Sequence, residues 1–231
     1  MRDLQKANTA FSGIAGHFFF GVNLAMSGKT PLNGQGSFIT GSYFPVLGVQ
    51  PALGRLLAPS DDDVIGGHPV AVLSYPYWET QLGADRSVVG KVITVNGVQL
   101  TIIGVAPKGF TGTTLGARPY VFVPISMRGL LNAGWTGFDR RDSYWVYVFG
   151  RLKPGATMEQ ALASVNAVYS PIINDIEAPQ HKGMSAQTMA KFRAKKILLT
   201  DGRKGHSAAI KEARMPLTLL FSITGIVLLI A

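Results

Sequence analysis

The feature that most constrains the fold is a pair of β-rich runs joined by Asn96-Gly97, in the stretch "KVITVNGVQLTIIGVA". A two-residue type I′ turn needs positive φ at both central positions, and asparagine and glycine adopt it most readily. This stretch therefore predicts a tight β-hairpin, so an antiparallel sheet must form part of the fold.

Other β-rich runs are spread along the chain and are separated by glycine, proline and aspartate. The region 50–68 is especially rich in these residues and predicts a surface loop. Strands are predicted in "FSGIAGHFFFGVNLAMSG", "GSFIT", "PVAVLS", "YVFVP", "YWVYVFGRL" and "AKKILLT".

Helical patterns lie between these runs. Ser74 is predicted to cap a helix that ends at Gly83, and its Tyr75, Trp78 and Leu82 share one face. Short helical turns are predicted within residues 1–10 and, after a strand, within "GSFITGSYFPVLGV". Together with the strands, these patterns predict a mixed α+β domain.

A longer helix is predicted after Pro154-Gly155. Thr157 and Gln160 form a capping box at its start, and Pro171 is predicted to end or kink it.

The stretch "PLTLLFSITGIVLLIA", residues 216–231, contains no charged side chain. As a helix it would be about 24 Å long, whereas the hydrocarbon core of a bilayer is about 30 Å thick and needs roughly 20 helical residues. We interpret it as the start of a transmembrane helix, with a buried core helix as the alternative. The opening "MRDLQKANTAFSG" has no secretion-signal pattern, so we expect the sequence to be cut at both ends.

The chain carries a net charge of +9, and its basic residues concentrate just before that uncharged stretch. Only Asp201 and Glu212 accompany them there. Their position favours contact with anionic lipid headgroups over nucleic acid, and a solvated basic surface is the alternative. The basic residues are Lys191, Arg193, Lys195, Lys196, Arg203, Lys204, Lys211 and Arg214.

Gly28-Lys29-Thr30 matches the end of a nucleotide-binding P-loop. The motif needs an earlier glycine where Asn23 stands, and its threonine should open a helix, which Pro31 disfavours. We therefore predict a polar hairpin loop with no nucleotide role.

Other patterns that would carry chemistry are weak. The four histidines, at positions 17, 68, 181 and 206, lack zinc-ligand spacing, and Asp61-Asp62-Asp63 predicts an acidic turn rather than a calcium loop. The absence of cysteine excludes disulfides and thiolate metal sites. We predict no catalytic, cofactor-binding or metal-binding residue, identify no substrate-binding residue, and expect no cofactor and no enzyme activity.

A linked series of motifs resembles the extracytoplasmic core domain of MacB-like ABC transporter permeases, in the FtsX-like permease family, especially the subfamily abundant in acidobacterial genomes. The likeness extends from Arg2 to Ala231. It rests on Gly41, Tyr43, Phe44, Leu47, Gly48, Gly54-Arg55, Asp61-Asp62, the Leu73-Ser74 to Trp78 helix entry, Gly90, Asn96-Gly97, Gly104-Val105 and "GRLKPGAT".

The resemblance implies a domain on the periplasmic side of the cytoplasmic membrane, between the first and second transmembrane helices of a permease. It further implies two subdomains. A Porter-like α+β unit would combine residues 1–48 and 142–205, a Sabre-like β-rich insertion would span 49–141, and 206–231 would form a stalk and the start of a transmembrane helix.

In this family a separate ATPase domain or subunit hydrolyses ATP, and the permease transmits the resulting motion to drive efflux or extraction. Implied partners are that ATPase, a second permease copy, membrane lipid, and a periplasmic adaptor with an outer-membrane channel; nucleic acid is not among them. The alternative function is a membrane-anchored periplasmic module that binds a ligand or lipoprotein without transporting it.

The motif residues are expected to be structural. Gly41, Gly48 and Gly54 suit backbone turns or close packing, whereas Tyr43, Phe44 and Trp78 suit the core. Arg55 is expected to pair with the Asp61-Asp62 turn, with a partner contact as the alternative. The aromatic loop "NAGWTGF", residues 132–138, is expected either to contact a ligand or to cover the core.

Overall fold

The computed structural model describes residues 2–6, 9–138, 140, 143–207, 215–216 and 218–223. The chain divides into two units. The first comprises Met1–Phe110 and Pro119–Thr200, and the second comprises Thr111–Arg118 and Asp201–Ala231. In the second unit, Thr114 and His206 form a parallel bridge, and the Leu115 amide donates to the His206 carbonyl over 2.8 Å.

The first unit contains eight strands and six α-helices within its described residues. The strands are β1 (Phe11–Ala25), β2 (Leu32–Ile39), β3 (Leu53–Gly54), β4 (Val70–Leu73), β5 (Val92–Val95), β6 (Val98–Val105), β7 (Val121–Pro124) and β8 (Tyr147–Leu152). The helices are α1 (Arg2–Lys6), α2 (Tyr43–Leu47), α3 (Tyr75–Leu82), α4 (Arg128–Leu131), α5 (Met158–Pro171) and α6 (Ala186–Arg193).

Six of these strands form a sheet that closes on itself. Their order is β2-β7-β4-β6-β5-β1, and β1 also pairs with β2. The pairs β2–β7 and β4–β6 are parallel, whereas the other pairs are antiparallel. Two strands extend the ring, because β3 pairs with β6 and β8 pairs with β1.

Strand β1 belongs to both parts of this sheet. Its first half, Phe11–His17, pairs with β8, while His17–Leu24 pairs with β2 and its last two residues pair with β5. One continuous strand of 15 residues therefore connects the β1–β8 ribbon to the closed ring.

The largest apolar core gathers side chains from all six ring strands and from one face of α3. Examples are Leu24, Phe38 and Ile102, which are at most 1% exposed. Tyr77, Trp78 and Leu82 of α3 complete it, and the Trp78 indole N–H donates to the Asp85 carbonyl over 2.8 Å.

Smaller cores pack on other surfaces of the sheet. One contains Tyr43 and Phe44 of α2, which are 1% and 2% exposed, as expected for core anchors. Another lies between β1 and α5, and a further one lies between the segment after α5 and α6.

The predicted local signals are present in the structure. Asn96 and Gly97 have φ of 48° and 85° between β5 and β6. The Ser74 hydroxyl caps α3, which ends at Gly83 with φ 63°. Thr157 and Gln160 form the capping box of α5.

Two local predictions differ from the structure, and one helix was missed. "AKKILLT" is not a strand, because the Asn166 side chain bonds both the amide and the carbonyl of Ile197, groups that a neighbouring strand would need. The helix α6 was not predicted. The α-helix after Thr157 ends at Pro171, as predicted, and a π-helix follows over Ile172–Glu177. The predicted strand at 144–152 begins instead at Tyr147.

The uncharged stretch lies partly outside the described residues, which omit 217 and 224–231. Positions 215–216 and 218–223 are helical, and Leu219, Leu220 and Phe221 are exposed. Within the part of the chain that is described, no helix has both the length and the apolar character required to cross a membrane.

Candidate functional site

Gly28-Lys29-Thr30 forms the loop of the β1–β2 hairpin. The Lys29 amide donates to the Met26 carbonyl over 3.0 Å, Gly28 has φ 73°, and β2 begins at Leu32. The hairpin-loop prediction is confirmed. A P-loop is excluded because a strand follows the threonine, so no helix N-terminus is present to hold phosphate.

Lys29 also lines an open groove of about 560 Å³. Met26, Leu82, Val88 and Val92 contribute apolar surface, and the other lining residues are Ser27, Asp85, Gly90 and Lys91. Hydrogen bonds from Ser87 and Lys91 hold the pKa of Asp85 at about 2, so this carboxylate is ionised at neutral pH. The groove thus combines apolar surface with charged groups of both signs.

Arg55 pairs with Asp61 through two parallel hydrogen bonds. The Nη1–Oδ2 distance is 2.6 Å and the Nη2–Oδ1 distance is 2.8 Å, and the Ala58 amide also donates to Asp61. Burial raises the pKa of Asp61, but these hydrogen bonds outweigh it and the net pKa is lowered. The predicted pairing of Arg55 with this turn is confirmed.

The other two aspartates of the turn have structural partners as well. Asp62 accepts from the backbone amides of Gly41 and Ser126, at 3.2 and 2.9 Å, and Asp63 lies 2.8 Å from His68. The three carboxylates therefore contact four segments, at Arg55–Ala58, Gly41, Ser126 and His68. Among the described residues, no group of His, Asp and Glu side chains is arranged to hold a metal ion.

The Asp61→Asn variant is expected to lose about 1–2 kcal/mol of unfolding free energy at neutral pH, a modest value because half of the Arg55 side chain is exposed. The folded pKa of Asp61 is below its unfolded value of about 3.9, so its contribution is complete above that pH and disappears as pH falls through the folded pKa. Urea unfolding from about pH 7 to about pH 2.5 measures this change.

Asp63→Asn is the matched control, since the Asp63 side chain is 60% exposed, and it should change stability far less. If the difference in unfolding free energy between Asp61→Asn and the native chain stayed constant across this pH range, the role of the ionised pair would be contradicted.

The four histidines lie apart in their separate surroundings. His17 is 2% exposed and stacks on Tyr147 at 5.5 Å, His68 contacts Asp63, and His181 packs against Phe192 at 4.7 Å. His206 lies in the second unit, where its backbone joins the bridge to Thr114.

The model of the MacB-like periplasmic core domain family matches residues 2–168. The chain belongs to this family. Membership identifies it as an extracytoplasmic domain of a MacB-like ABC transporter permease, whose assembly includes an ATPase. Among curated proteins, no sequence matches the chain.

Two solved structures share the fold of this MacB-like domain. The periplasmic region of MacB from Actinobacillus actinomycetemcomitans is 15% identical, with a TM-score of 0.54 over 85% of this chain and 83% of that one. The extracellular domain of the noncanonic ABC-type transporter YknZ from Gram-positive bacteria is 16% identical. Its TM-score is 0.53, over 76% of this chain and 81% of that one.

Sequence reasoning missed an arginine box in this MacB-like domain. The guanidinium carbon of Arg128 lies 4.6, 4.0 and 3.8 Å from the ring centroids of Phe18, Trp135 and Trp145. Arg128 is 7% exposed, and its Nε and Nη1 have no hydrogen-bond partner among the described residues. Burial lowers the pKa of Arg128, and the three ring faces supply the electrostatic compensation.

The box decides between the two interpretations of "NAGWTGF". Trp135 is partly buried, packs on Arg128 and lies 4.5 Å from Phe138, which favours the covering role for this tryptophan. The aromatic content of the loop was visible in sequence, but the arginine that it packs on was not.

A second cluster missed by sequence reasoning contains a buried carboxylate. Glu177 is 6% exposed and accepts a hydrogen bond of 2.6 Å from the Tyr144 hydroxyl. Lys195 lies over the rings of Phe192 and Tyr144, at 4.6 and 5.9 Å. These contacts join the segment before β8 to the residues after α5 and α6.

The three motif glycines occupy positions that require glycine. Gly48 and Gly54 have φ of 69° and 65°. A Cβ on Gly41 would lie 2.7 Å from the Pro59 Cα, so the close-packing prediction is confirmed.

Proposed function

We propose that this domain transmits movement outside the membrane, so that ATP hydrolysis by a cytoplasmic partner drives efflux or extraction of a substrate. The observation that carries the proposal is the continuity of β1. Its 15 residues span about 50 Å when extended, and its hydrogen bonds join β8 at one end to β2 and β5 at the other. A displacement of the ribbon would therefore move the ring as one body.

The proposed division into a Porter-like unit (1–48 and 142–205) and a Sabre-like insertion (49–141) has partial structural support. The cores beneath α5 and α6 use residues from the Porter-like segments alone. The ring core, however, combines Val22, Leu24 and Phe38 with residues of the insertion. In this proposal β1 and β2 are the mechanical connection between the two parts.

The proposed assembly contains the ATPase, a second permease copy, a periplasmic adaptor and an outer-membrane channel, anchored by transmembrane helices that include residues 216–231. Purification of the full-length protein with mass spectrometry of its partners tests this composition. ATP hydrolysis should be abolished by changing the P-loop lysine of the ATPase and should survive Lys29→Ala.

This domain contains no cysteine, so a single introduced cysteine gives one label within it. Gln99→Cys on the ring and Lys153→Cys after β8 would each carry one spin label in the full-length permease with its ATPase. Between nucleotide-free and ATP-bound states, we expect the distance between equivalent labels of two copies to change at both sites. Unchanged distances at both sites, with normal ATP hydrolysis, would rule out mechanotransmission through this domain.

The groove beside Lys29 favours the alternative, a periplasmic module that binds a ligand or lipoprotein without transport of its own. In that case, the domain alone would capture an anionic amphiphile such as a fatty acid, whether or not the ATPase is active. Loss of capture in a Val92→Lys variant, at a lining residue that is 49% exposed, would locate the ligand in the groove.

A further inference from the structure

The outer edge of β8 is an open strand edge in the first unit. In the described chain, β8 pairs with β1 and with no other strand. Tyr147 and Val148 are 45% and 48% exposed, and Gly150 and Arg151 are exposed as well. The edge therefore lies at the surface.

Hydrogen bonds of β1 show which backbone groups of β8 point outward. Gly16 lies opposite Val148. The Gly16 amide nevertheless donates to the Thr40 hydroxyl, and the Gly16 carbonyl accepts from the Thr40 amide, so both Gly16 groups point to the β2 side of β1. In an antiparallel ladder, two opposite residues either exchange both backbone hydrogen bonds or both direct their amide and carbonyl groups away from each other. The amide and carbonyl of Val148 therefore point away from β1.

The same reasoning applies two residues further along β8. Ile14 pairs with Gly150, and the Ile14 carbonyl accepts from the Gln5 amide group and the Ser42 hydroxyl, at 2.9 and 2.8 Å. Gly150 therefore also directs its amide and carbonyl outward. Two donors and two acceptors are arranged along this edge, as in a strand that is ready to pair.

The edge lacks the features by which proteins usually protect such strands. It contains no proline, and Tyr147, Val148 and Phe149 form an apolar run. Arg151 does not guard it, because its Nε and Nη2 donate to the carbonyls of Val46 and Leu47, at 2.7 and 3.2 Å.

Along β8 itself and the residue that follows it, the charged side chains have one sign. Residues 143–153 contain Arg151 and Lys153 and no carboxylate. In the described part of the chain, neither cation forms an ion pair, since the contacts of Arg151 are neutral carbonyls. Pairing with the β8 of a second copy would bring only like charges together, so an acidic partner is favoured.

We propose that the outer edge of β8 binds an extended acidic segment of a partner protein by strand addition. The added strand exchanges hydrogen bonds with Val148 and Gly150, covers the exposed face of Val148 with an apolar side chain, and places a carboxylate near Lys153. This inference goes beyond the proposed function and holds whether or not the domain transmits force.

A fluorescein-labelled peptide of alternating glutamate and valine, about eight residues long, is the probe, and the full 231-residue chain is the receptor. We expect saturable binding in fluorescence anisotropy, with slower hydrogen exchange at the Val148 and Gly150 amides. The same peptide with lysine in place of glutamate should bind at least about tenfold more weakly. N-methylation of alternate peptide amides on its pairing side should abolish binding.

Val148→Pro removes one outward donor and leaves the inner ladder intact, because proline is tolerated where the N–H faces solvent. We expect it to weaken binding about tenfold, whereas Val148→Thr, which keeps the donor, should bind nearly normally. Lys153→Gln should weaken binding about threefold, and the matched Lys108→Gln variant, beside Tyr75 and Glu79, should have no effect.

Three results would overturn the proposal. These are no binding of the acidic peptide at about 1 mM, equal binding of the lysine peptide, or binding that survives N-methylation. The N-methylated peptide uses the unmodified protein, so it remains decisive if Val148→Pro does not fold. Self-association that is lost in Val148→Pro and unaffected by the acidic peptide would assign the edge to a second copy instead.

Discussion

Arg128→Ala is expected to lower the free energy of unfolding by about 3–4 kcal/mol. The guanidinium carbon lies 3.8–4.6 Å from the ring centroids of Phe18, Trp135 and Trp145, and Trp145 also meets the other two rings edge to face. Alanine would leave a cavity between these rings and would release the loop that carries Trp135 from the ring strand that carries Phe18. Urea unfolding monitored by tryptophan fluorescence measures this change.

Arg128→Met is the control that retains volume and removes charge. It loses the attraction of the cation to three ring faces, but it also removes Nε and Nη1, which have no hydrogen-bond partner among the described residues. These effects oppose each other, so the methionine variant should remain within about 1 kcal/mol of the native chain. A loss as large as that of alanine would mean that charge, rather than packing, holds the box together.

Gly104→Ala is expected to cost about 3 kcal/mol or more, because the added methyl group would meet backbone rather than a side chain that can move. A Cβ on Gly104 would lie 2.7 Å from the Leu53 carbonyl oxygen and 2.8 Å from the Arg55 amide nitrogen, and would also meet the Arg55 carbonyl. Hydrogen bonds of 2.9 Å hold β3 to β6 on both sides of this point, so β3 has no room to retreat.

Gly21→Ala is the matched control, because Gly21 also lies in a strand and a Cβ there would have no neighbour within 4 Å. It should leave stability unchanged or raise it slightly, since glycine is a poor strand residue. Thermal unfolding of both variants provides the comparison. If Gly104→Ala and Gly21→Ala lost the same stability, the loss would come from the reduced backbone freedom of alanine and not from contact with β3.

Local signals in the sequence predicted local structure well. The φ requirement of Asn96-Gly97 and the caps at Ser74 and Thr157 depend on neighbouring residues alone, so they could be predicted without a fold. The failure at "AKKILLT" has the opposite cause. Its apolar pattern suits a strand, but Asn166, 31 positions from Ile197, takes the backbone groups that a strand would use.

The candidate sites were harder to predict from sequence, because most of their contacts join residues that are distant along the chain. Arg55 and Asp61 are six positions apart, and their pairing was predicted. Arg128 meets Phe18 across more than a hundred residues, and no periodicity or short motif marks such a contact. Likewise, a strand pattern cannot show which edge remains unpaired, so the open edge of β8 required the register with β1.

By itself, the sequence determined the class of the domain, its principal hairpin, its main helix boundaries and its family, since turn geometry, capping and motif order act over short distances along the chain. Only the tertiary structure decided that β2 and β7 pair in parallel to help close the ring, that three rings enclose Arg128, and that Val148 and Gly150 direct their hydrogen-bonding groups to solvent. These features depend on contacts between distant segments, whose pairing is selected by burial of the whole core rather than by local preference.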